Sequence, residues 1–103
     1  MADHAEPAHD LSDVQEKARV GFVHFRPEAL DGAAELDFTP QDIIECVCAL
    51  TPGDFHKSMD AENPRWTGCR QDVYKPTYEG VVLYVKVQLW PGKRLYIVSF
   101  KRK

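Results

Sequence analysis

Residues 81 to 90 read Val-Val-Leu-Tyr-Val-Lys-Val-Gln-Leu-Trp. Successive side chains of a β-strand point to opposite faces, so this alternating stretch predicts a long strand with two unlike faces. The wholly apolar face, which should meet the rest of the core, comprises Val81, Leu83, Val85, Val87 and Leu89. The opposite face comprises Val82, Tyr84, Lys86, Gln88 and Trp90. Tyr84 and Lys86 should therefore lie on the open side of a sheet, where a lysine attracts a chain of phosphates.

Three further strands are predicted around this one, at about residues 54 to 59, 70 to 75 and 94 to 101. Pro91-Gly92 marks the turn between the strand of residues 81 to 90 and the strand at 94 to 101. In the final strand both alternating sets are partly apolar. One set is Tyr96, Val98 and Phe100, and the other is Leu95, Ile97, Ser99 and Lys101. The sequence leaves open which set faces the core.

The first half of the chain predicts three helices. Apolar residues at helical spacing indicate a helix over residues 11 to 19, and a proline suited to the first turn opens a second over about 27 to 36. A third begins at the cap residue Thr39 and is ended by Thr51-Pro-Gly53. Residues 20 to 25 can form a short strand or an extended linker. Helices followed by strands predict an α+β fold, with N-terminal helices packed on a C-terminal antiparallel β-sheet.

A length of 103 residues fits one domain, expected over residues 11 to 103. Residues 1 to 10 are polar and acidic and are predicted to be a flexible N-terminus. The chain shows neither a secretory signal nor an apolar run of membrane-spanning length, so we expect a soluble cytoplasmic protein without a membrane partner. The three cysteines include no Cys-x-x-Cys pair, and their odd number predicts free thiols.

The net charge of −3 is distributed unequally along the chain. Residues 1 to 54 contain three basic and twelve acidic side chains, whereas residues 55 to 103 contain ten basic and four acidic ones. The second half can therefore form a basic surface that binds a polyanion although the whole chain is acidic. A solvated strand face with the basic tail Lys101-Arg-Lys103 explains the same composition equally well.

Three segments set polar residues into the predicted strands: Phe55-His-Lys-Ser-Met59, Gln71-Asp-Val-Tyr-Lys-Pro76 and Val98-Ser-Phe-Lys101. In this order and near these spacings they resemble the MqsR family of bacterial toxin ribonucleases. The resemblance continues through Leu11-Ser-Asp-Val14, Leu36-Asp-Phe38 and Ile43-Ile44, so it covers roughly residues 8 to 103. The ordered series carries the resemblance, because each short segment alone is common.

This resemblance implies a RelE-like toxin fold and the toxin of a type II toxin–antitoxin system, which cleaves mRNA without a metal or other cofactor. It also implies an MqsA-like antitoxin, whose zinc and DNA-binding helices would make any DNA contact of this chain indirect. Carried over by position, it assigns catalytic or substrate-contacting roles to Lys57, Gln71, Tyr84 and Lys101.

The chemistry of these side chains is consistent with those roles. RNA supplies its own nucleophile, the 2′-hydroxyl, so the enzyme needs a base, an acid and positive charge near the phosphate. If the fold brings Lys57 and Lys101 close together, two ammonium groups would lower each other's proton affinity, which would allow one of them to transfer a proton. Tyr84 can donate its phenolic hydrogen to a phosphate or leaving oxygen, and Gln71 can bind a base edge or a phosphate.

Three further residues are candidates for substrate binding. Lys86 lies on the same predicted strand face as Tyr84. Arg65 and Trp66 lie in a predicted loop, where they could pair and stack with a nucleotide, although Trp66 could equally seal the sheet edge. His56 precedes Lys57 and should face the opposite side, towards the helices, which favours a structural role.

Each of these residues alone is more often structural, since strand lysines are usually solvated and tyrosine rings usually pack. One alternative is therefore a non-catalytic module that binds RNA or a protein through the basic sheet face. Another is a structural domain that accepts a partner by sheet extension. The sequence contains no glycine-rich phosphate loop and no His-Glu-x-x-His zinc motif, and its histidines have no partner at metal-ligand spacing.

Overall fold

The computed structural model describes residues 3–61, 68–89 and 94–103. The predicted turn at Pro91-Gly92 and the side chains of Arg65, Trp66 and Trp90 lie outside these ranges. The helices are α1 (Leu11–Arg19), α2 (Pro27–Glu35) and α3 (Pro40–Cys48). The strands are β1 (Asp3–His4), β2 (Val23–Phe25), β3 (Phe55–Asp60), β4 (Arg70–Tyr74), β5 (Thr77–Tyr78), β6 (Val81–Leu89) and β7 (Leu95–Arg102).

All three predicted helices form within a residue or two of their expected bounds. Side-chain caps fix where α1 and α3 start, whereas α2 has no such cap and opens on Pro27. The Asp10 carboxylate accepts the Ser12 amide at 2.8 Å and begins α1. At α3 the Thr39 hydroxyl accepts the Asp42 amide, and the Asp42 carboxylate accepts the Thr39 amide at 2.7 Å. This reciprocal pair is a capping box.

The described strands form one sheet in the order β1-β3-β4-β6-β7-β2, with β5 pairing on β6. The α+β prediction is confirmed, and β3, β4, β6 and β7 are antiparallel as expected. The sheet is nevertheless mixed, because β2 pairs with β7 in parallel. A short strand was one of the two alternatives for residues 20 to 25, but its parallel place in the C-terminal sheet was not predicted, because it has three residues and belongs to the helical half of the chain.

The question of which face of β7 is buried is answered by a bulge at Val98. Lys86 pairs with Ser99 while its neighbour Val87 pairs with Ile97, so Val98 is an extra residue in the ladder. Before the bulge Leu95 and Ile97 face the core, and after it Phe100 does. Each of the two alternating sets of β7 side chains therefore faces the core over part of the strand.

The core lies between the three helices and one face of the sheet, where α2 packs directly on β7. Gly32 of α2 allows this close approach: a β-carbon at this position would lie 2.1 Å from the carbonyl oxygen of Phe100. The same β-carbon would lie 3.3 Å from the β-carbon of Lys101. A glycine that weakens an isolated helix is thus required by the packing of this one.

Residues 3 to 10, predicted from their composition to be flexible, follow the sheet on the β3 and β4 side. β1 pairs antiparallel with β3, and the fully buried Asp72 carboxylate accepts the amides of Ala8 and His9, both at 2.9 Å. The Arg70 guanidinium donates to the Glu6 carbonyl oxygen at 2.7 Å. Most of these contacts use backbone groups of the segment, which composition does not reveal. Its mobility in solution stays a prediction.

Candidate functional site

The sheet face that points away from the helices, here called the outer face, carries the predicted catalytic residues. Val85 of β6 pairs with Tyr74 and Phe100, and all three belong to the core. Strand side chains alternate, so the residues on either side of Val85 face outward. Following the register across the sheet, the outer face comprises Lys57, Met59, Gln71, Val73, Tyr84, Lys86, Gln88, Tyr96, Ser99 and Lys101.

Tyr84 and Lys101 are direct cross-strand partners at the centre of this face. They pair between β6 and β7, and the Lys101 Nζ lies 5.2 Å from the centre of the Tyr84 ring. Lys86 approaches the same ring, with its Nζ 5.9 Å from the ring centre. Two ammonium groups therefore converge on one phenol, which places positive charge beside a hydroxyl donor.

Lys57 lies two strands away from Lys86 in the same row. Lys57 pairs with Val73 and Val73 pairs with Lys86, so the two lysine α-carbons are separated by roughly 10 Å at the usual strand spacing. Val73 between them is fully buried, which gives the face an apolar floor at this point. The Lys57 Nζ donates to the Asp3 carboxylate at 3.3 Å. Asp3 thus competes with an incoming phosphate for this lysine.

Bulges in two strands direct Lys57 and Lys101 to the outer face. In β3, Phe55 pairs with the core residue Tyr74, whereas Lys57 pairs with Val73 on the outer side, because His56 is inserted between them. In β7, the Val98 bulge has the same effect on Ser99 and Lys101. Without an extra residue, regular alternation from Phe55 and from Ile97 would turn both lysines towards the core.

The bulge also corrects the prediction for His56. Its side chain is exposed and does not face the helices, because a bulge residue lies outside the regular alternation. Local desolvation and the positive charges of Lys75 and Lys57 lower the pKa of His56. This lowering disfavours the charged form of its imidazole.

Gln71 lies at one end of the outer face and is largely buried, with 6 % of its surface exposed. Its Nε2 donates to the Oε1 of Gln88 at 2.9 Å, and Gln88 is fully buried. Gln88 is four residues from Tyr84 along β6, which corresponds to about 13 Å in a regular strand. The structure therefore groups Tyr84, Lys86 and Lys101, and holds Gln71 at a distance from them. Lys57 is three strands away from Lys101, so these two lysines are not the close pair that the prediction of mutual effects required.

Sequence reasoning did not assign roles to two residues of this region. Gln88 was placed on the correct face but given no function, since its contact with Gln71 joins strands that are distant in sequence. Asp3 belongs to the segment predicted to be flexible. For neither residue did a local motif signal the contact.

The thiols and possible metal ligands occupy other parts of the fold. All three cysteines are free, as predicted, and burial raises the pKa of Cys46 to about 12, which makes it an inert core residue. Within residues 3–61, 68–89 and 94–103, no three side chains of His, Cys, Asp or Glu are grouped so that they could hold a metal ion. Over the same ranges, no helix has the length and apolarity that crossing a bilayer requires.

Comparison with known proteins identifies the family. A family model described as the motility quorum-sensing regulator, toxin of MqsA, matches residues 6–102, nearly the whole chain. A comparison with individual curated proteins gives no significant match. The match includes every residue of the outer face and agrees with the resemblance seen in the ordered segments. The chain belongs to the MqsR toxin family, and it is the toxin of a toxin–antitoxin system with a cognate antitoxin as its partner.

Proposed function

We propose that this toxin is an endoribonuclease that cleaves mRNA in the bacterial cytoplasm and thereby stops translation and growth. The 2′-hydroxyl of the RNA gives its proton to a lysine amine of the outer face, which thereby becomes a cation, and attacks the adjacent phosphorus. The bond to the 5′-oxygen breaks, that oxygen takes up a proton from Tyr84, and a 2′,3′-cyclic phosphate remains on the upstream fragment. The observation that supports this most directly is the convergence of Lys101 and Lys86 on the Tyr84 ring at 5.2 and 5.9 Å.

The lysines supply the positive charge that this reaction needs. Negative charge builds up on the phosphate oxygens during attack, and fixed cations beside them stabilise the transition state. Lys101 and Lys86 provide two such charges on β6 and β7, and Lys57 provides a third across the Val73 floor. Tyr84 is the donor in this group and is proposed to protonate the leaving 5′-oxygen.

Gln71 is assigned to substrate positioning instead of proton transfer. Its amide has no useful acid–base chemistry near neutral pH, and it lies about 13 Å along the strand direction from Tyr84. An amide at this distance contacts a neighbouring nucleotide while the lysines and Tyr84 surround the scissile phosphate. Arg65 and Trp66, in the segment 62–67 that the described residues do not include, are proposed to pair and stack with the same RNA strand.

The charge distribution is compatible with RNA binding despite the acidic total. Most acidic side chains belong to residues 11 to 54, which contain the three helices, whereas the lysines of the outer face come from β3, β6 and β7. A phosphate chain on the outer face is thus separated from the acidic helices by the sheet. The net negative charge of the whole molecule still repels RNA, and added salt screens this repulsion together with the local attraction by the lysines. Added salt should therefore weaken RNA binding less than it does for a uniformly basic nuclease.

The test is cleavage of a defined RNA by the purified protein in the presence of a chelator. We expect 2′,3′-cyclic phosphate ends, and we expect Lys57→Ala and Lys101→Ala to abolish them. Lys17→Ala is the matched control, because Lys17 is on α1 in the helical layer. Cleavage that requires an added divalent ion, or that survives both substitutions on the outer face, would contradict the proposal.

The same experiment separates cleavage from binding alone. A non-catalytic module would shift the mobility of the RNA without breaking it, and its expression would not arrest bacterial growth. Growth arrest that is relieved by co-expression of the neighbouring antitoxin gene, and that is lost in Lys101→Ala, supports the nuclease.

A further inference from the structure

Gln88 is an unusual residue for the middle of a sheet. It pairs with Tyr96 on the outer face, and its side chain is fully buried. Its Oε1 accepts a hydrogen bond from Gln71, while among the described residues its Nε2 has no partner. A buried amide with only half of its groups satisfied is less favourable than an apolar side chain of the same shape. Packing therefore does not explain a glutamine here.

The contact has a clear effect on Gln71. A glutamine amide can turn over and exchange its oxygen and nitrogen, so it presents a defined pattern to a ligand only when a neighbour fixes it. In this arrangement the Gln71 nitrogen donates to the Gln88 oxygen at 2.9 Å, which directs one N–H of Gln71 into the sheet. Among the described residues nothing else bonds the Gln71 oxygen or its second N–H, so both remain for a ligand on the outer face.

We propose that Gln88 is a positioning residue that fixes the Gln71 amide for recognition of a nucleobase edge beside the cleaved bond. The proposal rests on the ribonuclease function proposed above and adds to it the basis of a sequence preference. An adjacent acceptor and donor on one amide are the groups with which glutamine binds a base edge. A phosphate group, whose oxygens only accept hydrogen bonds, would bind the N–H of the amide and leave the amide oxygen unused.

The experiment measures steady-state cleavage of an RNA oligonucleotide whose cut site has been mapped with the wild-type protein. Gln88→Met keeps the length and shape of the side chain and removes the acceptor. We expect KM to rise about tenfold, with kcat little changed and with less discrimination among bases flanking the cut.

A double-mutant cycle distinguishes positioning from a structural effect. In the Gln71→Ala background, Gln88→Met should cause no further rise in KM, because the amide that it positions is already gone. Gln15→Met is the matched control: the Gln15 Nε2 donates to the carbonyl oxygens of Val47, Cys48 and Leu50 in the helical layer. It should lower stability without changing base preference. If Gln88→Met does not fold, Gln88→Asn, which withdraws the amide by one methylene, gives the same test.

The outcomes are distinct. If the wild-type protein cleaves and Gln88→Met or Gln88→Asn keeps the wild-type KM and base preference, this proposal fails while the ribonuclease function stands. Effects of Gln88→Met that add fully to those of Gln71→Ala also overturn it. If the wild-type protein cleaves no RNA, both proposals fall.

Discussion

The Nζ of Lys101 lies 5.2 Å from the centre of the Tyr84 ring, and the two residues face each other directly across β6 and β7. The ring and the hydroxyl of Tyr84 can be tested separately. Tyr84→Phe keeps the ring that Lys101 contacts and removes the donor. We expect kcat to fall by about 100-fold or more, within the range attributed to general acids, while RNA affinity is unchanged. An active Tyr84→Phe enzyme would show that the ring and not the hydroxyl is what the reaction needs.

Asp3 provides a second test, because it occupies the ammonium group of Lys57 at 3.3 Å. Asp3→Asn removes this competing charge, so we expect a lower KM for RNA and a steeper dependence of KM on salt concentration. Asp31→Asn on the exposed surface of α2, on the opposite side of the sheet from the outer face, makes the same change in net charge and is the control. Equal effects of the two substitutions would mean that only the total charge matters.

Gly32 tests the packing that supports the site. Alanine is the better helix former, yet Gly32→Ala would push a β-carbon to 2.1 Å from the Phe100 carbonyl oxygen. We expect it to lower the free energy of unfolding by about 1–3 kcal/mol, the usual cost of overpacking, and to reduce cleavage by displacing β7. The β-carbon of Gly53→Ala would lie at an ordinary contact distance of 3.6 Å from the Thr51 hydroxyl. This substitution should leave the free energy of unfolding and the cleavage activity nearly unchanged. Urea denaturation of the two variants gives the comparison.

The stability of the fold should depend on pH through Asp42. Hydrogen bonds from the Thr39 backbone amide, and to a lesser extent from the Thr39 hydroxyl and the Tyr78 phenol, lower the pKa of the Asp42 carboxyl from its ordinary 3.8. A lowered pKa means that the stabilisation is present above pH 3.8 and is lost as the pH falls through the folded-state value. Asp42→Ala should therefore be less stable than wild type at pH 7, and the difference should shrink below pH 3.8. A difference that stays constant would contradict the assignment.

Local patterns were sufficient to predict the helices and the four main strands, because caps at Asp10 and Thr39 and the alternation of residues 81 to 89 act over short distances. The side of the sheet on which each lysine side chain lies was harder to predict. Regular alternation along β7 could not decide the orientation of Lys101, since the Val98 bulge exists only when β7 is paired with β6. The family resemblance, rather than strand periodicity, identified Lys57 and Lys101 as site residues.

The contacts of Gln88 and Asp3 were invisible for a similar reason. Each is made across strands by residues that are 17 and 54 positions apart in the chain. Such pairs follow from the order of the strands in the sheet, which the sequence of the elements alone does not specify. The parallel position of β2 beside β7 has the same origin.

The bulges at His56 and Val98 give β3 and β7 one extra residue each relative to their partner strands. Deletion of His56 or Val98 itself would leave a regular ladder in which Lys57 or Lys101 still faces outward, whereas deletion of one further residue would turn that lysine towards the core. A single-codon deletion at either bulge should therefore be tolerated by the toxin, and a two-codon deletion should inactivate it.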